Sequence, residues 1–356
     1  MKRLTRGLSI LIAMLLLVGC VGCGNSKTAY DRENAKESAN ADTKTSADAS
    51  ASGSASADAD TKDTSGLKIA YSCIASEESA PWVGVLWNDM ESMCEENGWE
   101  FIGLSAEGAP SKQRDQVDEL IAKDPDYFVL MAGDATMADE WVKKIHDAGI
   151  PVIMVSTDAT VSAYNEVSAY VGEDQEALSS QLVMDMIAKN GESAGLNVVA
   201  ITGYSVQQDY ILREQGVEKT LPYFSNYKLL STEQAGHSRD KAKEVMEEYL
   251  SFYDNIDAVI AYDCEFALGA LDAIKEAGLE GQIQIYTITA SEETLQAMEE
   301  GYITECAVNS PTEMAKGVGE TIIGLENGQI PDHYKYTERE YITQDNLSAY
   351  SDRAVY

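Results

Sequence analysis

The residue types that most often carry chemistry are thinly spread in this sequence. The histidines are His146, His237 and His333, and none stands in an H-E-x-x-H helix or near a G-x-S-x-G nucleophile turn. No G-x-x-x-x-G-K-[ST] loop is present to cradle nucleotide phosphates. Adjacent carboxylates such as Glu77-Glu78 and Glu299-Glu300 are what chance supplies in a chain with 60 acidic residues, and they read as solvated faces. Beyond Cys20 and Cys23, the cysteines Cys73, Cys94, Cys264 and Cys306 lack the C-x-x-C spacing of a zinc site and are too few for a disulfide framework. Cys73 and Cys264, near the expected crevice, read as buried thiols rather than reactive ones. No catalytic residue, cofactor or metal is therefore expected. What remains is recognition, by polar and aromatic side chains placed directly after apolar runs. Trp82 follows the first run together with Ser76, Glu77, Glu78 and Ser79; Gly133 and Asp134 follow the third, and Thr157 and Asp158 the fourth. In the second half the corresponding places hold Tyr204, His237, Asp263, Thr289 and Asn309.

The elements that position these residues alternate along the chain. Apolar runs suited to buried parallel strands lie at 67–72, 101–105, 127–132, 151–156, 198–202, 229–232, 258–262, 283–288 and 303–308. Helical patterns separate them. In 81–96, Trp82, Leu86, Met90 and Met93 recur at helical spacing, with Pro81 in the first turn and Gly98 just past the end. This alternation is that of a doubly wound α/β chain, and about nine strands suit two α/β lobes better than one very wide sheet. Lobe one starts at Leu67 and lobe two near Asp174. In open parallel sheets the ligand crevice lies outside the carboxyl ends of the strands, where the residues named above fall. Two such crevices facing each other would enclose a small ligand.

Composition narrows the partners. The net charge of −34 makes nucleic acid an improbable one, because phosphate binding needs a basic surface. At the N-terminus Lys2, Arg3 and Arg6 precede an uncharged apolar run at 8–18, too short to span a bilayer, which takes ~20 apolar residues. That is the pattern of a signal peptide over residues 1–19. Leu17-Val18-Gly19-Cys20 resembles a bacterial lipobox, which makes Cys20 the lipidated residue and the outer face of the cell membrane the expected location. From 20 to 66 the chain is dominated by Ser, Ala, Asp and Thr and buries too little apolar surface to order itself. As a loose coil it tethers the rest by ~35 Å.

Several segments together carry a specific resemblance. Ala80-Pro81-Trp82-Val83, Gly149-Ile150-Pro151-Val152-Ile153, Arg213-Glu214-Gln215-Gly216, Ala258-Val259-Ile260-Ala261-Tyr262-Asp263 with Ala267-Leu268-Gly269-Ala270-Leu271, and Ala315-Lys316-Gly317-Val318-Gly319 resemble, in order and spacing, the ribose-binding protein branch of the type I periplasmic binding proteins over nearly all of 67–343. The resemblance implies two Rossmann-like lobes with parallel sheets, 67–172 plus 310–338 and 173–309 plus 339–356. Three crossovers near 172–174, 309–312 and 337–341 would join them as a hinge that closes on the ligand. It also implies a lipoprotein that hands a small polar ligand, a sugar, to an ABC permease whose ATPase is another chain. A sensor subunit docking on a membrane receptor uses the same fold, and a nucleoside or polyol would suit the same kind of cleft.

Carried over by position, the family's aromatic after the first strand matches Trp82, whose flat ring suits the C–H face of a sugar. Its ligand-binding Arg matches Arg213, whose planar fork suits two adjacent hydroxyls or a carboxylate. Asp263 and Asn309 match polar contacts, and His237 falls where relatives carry an aromatic ring. Two departures stand out. Thr289 lies in Thr287-Ile288-Thr289-Ala290 where relatives have Gly-Phe-Asp-Gly, and Ser156-Thr157 replaces an Asp-Arg pair, with Asp158 one place later. Two charged sugar contacts are thus absent or displaced, which loosens the tie to ribose itself.

Overall fold

The structure, a computed structural model, describes residues 62–75 and 80–350. The signal segment, Cys20, most of the tether and the stretch from Ser76 to Ser79 lie outside the described residues. Strand β1 (Lys68–Cys73) leads through α1 (Pro81–Glu96), β2 (Glu100–Ser105), α2 (Pro110–Ile121), β3 (Tyr127–Met131), α3 (Ala135–Asp147) and β4 (Val152–Val155) to β5 (Val167–Gly172). The chain then runs through α4 (Gln175–Asn190), β6 (Asn197–Thr202), α5 (Gln208–Thr220), β7 (Lys228–Gln234), α6 (Arg239–Phe252), β8 (Ala258–Ala261), α7 (Cys264–Glu276), β9 (Gln284–Ile288), α8 (Glu292–Glu299) and β10 (Glu305–Ala307). Helix α9 (Pro311–Glu326) and β11 (Tyr334–Tyr336) return to the first lobe, and β12 (Tyr341–Thr343) closes the second. The sheets have the orders β11-β5-β4-β3-β1-β2 and β12-β10-β9-β8-β6-β7. Pairing is parallel throughout except between β10 and β12.

The physical reason for the strands is burial on both faces. Every residue of β3, β4 and β8 is buried, so these segments read as unbroken apolar runs rather than alternating ones. In the first lobe, Ile69, Tyr71, Val129, Ile153 and Val171 point to the face covered by α1 and α9. Ala70, Phe128, Leu130, Val152 and Met154 point to the opposite face, with Val117 of α2 and Trp141 of α3. Helices start where a side chain takes up an orphan backbone N–H. Asp134, Asp174, Ser238, Asp263, Ser291 and Ser310 cap α3, α4, α6, α7, α8 and α9 in this way.

Two glycines in the segments quoted above are packing devices. A Cβ at Gly216 would lie 2.1 Å from Ser179 Oγ and 2.3 Å from the Glu176 carbonyl, so α4 and α5 meet only across a hydrogen atom. Gly269 does the same for α7 against the Arg239 carbonyl at 2.3 Å. Strands β5, β11 and β12 are additions to the sequence reading. β5 is a run broken by Ser168, and the other two are three residues each.

Candidate ligand cleft

The chain passes between the sheets three times: after β5, between β10 and α9, and between β11 and β12. Those passages set the carboxyl ends of the two sheets opposite each other. Hydrogen bonds join the first lobe to the second across the gap and at the second crossover. The backbone N–H of Ala135, at the start of α3, donates to the Val206 carbonyl in the β6–α5 loop at 2.8 Å. The indole N–H of Trp82 donates to the Asn309 carbonyl at 2.6 Å. A cavity lined by Pro81, Val85 and Asn88 of α1 and by Glu265, Ser291 and Gln296 opens between the lobes.

Arg213 is the best-anchored of the predicted side chains. It is only 2 % exposed, although it sits on a helix whose remaining surface is largely polar. Its Nε donates to Gln175 Oε1 at 2.8 Å and its Nη1 to the Tyr262 carbonyl at 2.6 Å. Its guanidinium lies 5.4 Å from the centre of the Tyr210 ring, within cation–π range. Two of its five N–H donors are thereby committed, and the fork is fixed before any ligand arrives. Asp263 caps α7, its Oδ1 accepting from the Glu265 N–H at 3.0 Å. Burial pushes its carboxyl upward, opposed by Arg213, the Glu265 N–H and His237. His237 is exposed, packs edge-on to Tyr204, and brings its Nδ1 to 3.4 Å from the Tyr210 hydroxyl. The Arg213, Asp263 and His237 group is thus drawn together around Tyr210.

Trp82 is half-buried and packs against the first-lobe core. Its polar edge is spent on the crossover, which leaves the ring face for contact. Asn309 is 5 % exposed, with Oδ1 buried and unpartnered. Thr157 is also buried, with an unpartnered Oγ1. It follows Ser156, whose φ of 62° is in the left-handed region, a conformation a non-glycine residue holds only when its surroundings enforce it. Thr289 shares that feature, at φ 71°, and its backbone is fixed on β10 by its N–H to the Ala307 carbonyl and by the Cys306 thiol on its own carbonyl. Asp158 is not drawn into the Arg213 group. Its carboxylate accepts from the Ala159 N–H at 2.7 Å and from the Tyr334 hydroxyl of β11. Burial pushes its pKa up to about 6, with Asp139 adding repulsion.

Four further residues enter that sequence reasoning did not single out. Gln175 orients Arg213 and keeps a buried, unpartnered Nε2. Gln207 and Asp209, at the start of α5, carry buried, unpartnered Oε1 and Oδ1 atoms. Glu173, in the first crossover, accepts from the Thr337 hydroxyl of the third and leaves Oε2 without a partner. Buried polar groups are normally paired, and a desolvated atom left unpaired costs about 1 to 3 kcal/mol. Several such atoms lie just beyond the carboxyl ends of β4, β5, β6 and β10, on both sheets. Among the described residues no group of three or more His, Cys, Asp or Glu side chains could hold a metal ion.

Comparison with known proteins agrees with this geometry. The family model of the periplasmic binding protein domain matches residues 71–329. The xylitol-binding protein of Mycolicibacterium smegmatis is 28 % identical over 270 residues, covering 75 % of this chain and 75 % of its own. The ribose import binding protein of Escherichia coli is 25 % identical over 258 residues, 72 % of this chain and 83 % of its own. Among solved structures, a galactofuranose binding protein superposes with a TM-score of 0.75 at 21 % identity, covering 82 % of this chain and all of that one.

Proposed function

Because the chain belongs to the periplasmic binding protein domain family, we propose that it is an extracytoplasmic solute-binding protein that closes on one sugar or polyol and delivers it to an ABC importer. The observation that carries this reading is the set of buried, unpartnered polar atoms on Thr157, Gln175, Gln207, Asp209 and Asn309, which follow strands of both sheets, together with the preset fork of Arg213. Such a lining is what a ring of hydroxyls completes, with Trp82 offering a flat face for the C–H side. The xylitol-binding and ribose import binding relatives support the ligand class. Arg213, Asp263, Asn309, Thr157 and Trp82 are the side chains we assign to ligand contact, with Thr289, Asp158 and His237 shaping the walls. A signal peptide at 1–19 and lipidation of Cys20 would hold the protein on the outer face of the cell membrane beside its permease, and the 20–66 segment would be its tether.

The test is a thermal-shift and calorimetry panel of D-ribose, xylitol, myo-inositol, galactofuranose and nucleosides. A ligand that binds only the folded state at a hundred times its Kd raises stability by about 2.7 kcal/mol. One member of the panel should raise the melting temperature and bind with one-to-one stoichiometry. A flat response across the whole panel would refute the reading.

A further inference from the structure

One segment beyond the carboxyl end of β4 is held in a conformation its sequence does not favour. Ser156, directly after that strand, stands at φ 62°, and across it the Thr157 N–H donates to the Val155 carbonyl at 2.6 Å. A bond from residue i+2 back to residue i around a positive φ makes a γ-turn of the rare, strained kind. Serine keeps such a turn only where its surroundings enforce it, and here the enforcing contacts come from β5. The Ser156 N–H donates to the Val171 carbonyl at 3.0 Å. The Ser156 carbonyl lies 3.1 Å from the Tyr170 hydroxyl, whose second acceptor is the Glu173 carbonyl at 2.9 Å. One phenolic proton is thus shared between the turn that carries Thr157 and the first crossover. Burial raises the Tyr170 pKa well above its ordinary value, so the hydroxyl keeps that proton at neutral pH. The ring itself is fixed: Tyr170 is 3 % exposed and packs edge-on against Tyr334 and Tyr336 of β11. Gly172 leaves room for the link, since a Cβ there would lie 2.5 Å from the same hydroxyl and 3.3 Å from Ser156 Cα.

We infer that Tyr170 is a positioning residue of the ligand cleft: its hydroxyl pins the Ser156 turn to the first crossover and thereby sets where Thr157 stands. This rests on the solute-capture reading above, in which Thr157, with its buried and unpartnered Oγ1, contacts the ligand. Tyr170→Phe keeps the ring and removes the tie. Ser156→Gly removes the need for it, because a residue without Cβ adopts a positive φ at no steric cost. The two substitutions should therefore be coupled rather than additive.

Amide hydrogen exchange of the ligand-free full chain, and calorimetry with xylitol and D-ribose, test this. In Tyr170→Phe the Thr157 amide should exchange about tenfold faster, a larger factor than at amides of β3 and β8, which report global opening. The affinity for whichever probe binds wild type should fall about tenfold. With Ser156→Gly added, both quantities should return to within about threefold of Ser156→Gly alone. An acceleration at Thr157 no larger than in β3 and β8 would overturn the inference. So would losses that persist undiminished in the Ser156→Gly background, since Tyr170 would then act through packing. Faster exchange with unchanged probe affinity would overturn it too, while leaving solute capture intact. Should Tyr170→Phe not fold, Gly172→Ala displaces the same hydroxyl and takes its place in both arms. Should neither probe bind wild type, the exchange arm decides the inference by itself, and the wider panel decides capture separately.

Discussion

Glu173 offers the sharpest test of how the hinge is built. It occupies the first crossover, is 2 % exposed, and ties to the third crossover through the Thr337 hydroxyl. Burial pushes its pKa from 4.5 up to about 7, against the opposing influence of Thr337, Arg213 and Arg339 and with Glu340 adding repulsion. The unfolded chain releases this proton near 4.5, whereas the native hinge keeps it until about 7. Between those values the native state binds more protons, so stability falls as pH rises through the window and is level on either side. A shift of this size amounts to ~3 kcal/mol. Glu173→Gln keeps an oxygen for Thr337 and places an uncharged amide where Oε2 stands, so it mimics the protonated acid. At pH 5 the variant should match wild type within about 1 kcal/mol, and at pH 8 it should be the more stable by up to ~3 kcal/mol. Urea unfolding of the ligand-free protein at pH 5, 6, 7 and 8 measures the gap. Asp158 and Glu305, raised to about 6 and about 8, tilt both proteins in the same direction and cancel in the difference. Parallel pH profiles for the two proteins would refute the argument.

Arg213→Ala should lower ligand affinity by ~2 kcal/mol or more and also reduce ligand-free stability by ~2 to 4 kcal/mol, since Gln175 Oε1 and the Tyr262 carbonyl each lose a buried donor. Calorimetry and melting read the two effects, and an unchanged ligand-free melt would show that the fork is not holding the second lobe together. Gly216→Ala should destabilise by ~1 to 3 kcal/mol through overpacking of α4 on α5, as read in denaturant unfolding; a neutral result would mean the two helices can part freely. Cys20→Ser should release the protein from membranes or leave its leader uncleaved, as read by fractionation and immunoblotting. Full membrane retention with normal processing would contradict lipidation at that residue.

Most of the nine expected strands were legible because burial on both faces leaves continuous apolar runs, whereas the edge strands β2 and β7 are only half-buried; the positions of Asp263 and Asn309 directly after strands were legible for the same reason. β11 and β12 carry no local signal, since three residues each become strands only by pairing with β5 and β10. The amides were opaque for the same kind of reason. Gln175 and Gln207 look like ordinary helix-start residues, and the partner that holds Gln175 is Arg213 of α5, 38 residues away. Arg213 was reached only through resemblance, because nothing in its helix distinguishes a buried arginine from a solvated one. The role of Trp82 also differs from that of a simple stacking platform. Its indole N–H is held by a carbonyl 227 residues away, a link that no reading of local spacing could supply.

That link bears on how the cleft closes. The hydrogen bonds that tie the first lobe to the second crossover and to the second lobe, from Trp82 to Asn309 and from Ala135 to Val206, are each worth about 1 kcal/mol net in water. Shifting a two-state hinge from mostly open to mostly closed takes about 5.5 kcal/mol of preferential stabilisation. The protein's own bridges are therefore too weak to lock it shut, and strong enough to favour the closed geometry once something else contributes. In the solute-capture reading proposed above, the unpartnered atoms on Asn309, Gln207, Asp209 and Gln175 supply that contribution, because they come from the second lobe and its crossovers while Thr157 comes from the first. A ligand contacting both sets gains its full complement of hydrogen bonds only when the lobes meet. Its differential affinity for the closed state is thus the closing force, and a solute that reaches one wall alone would bind without closing the hinge.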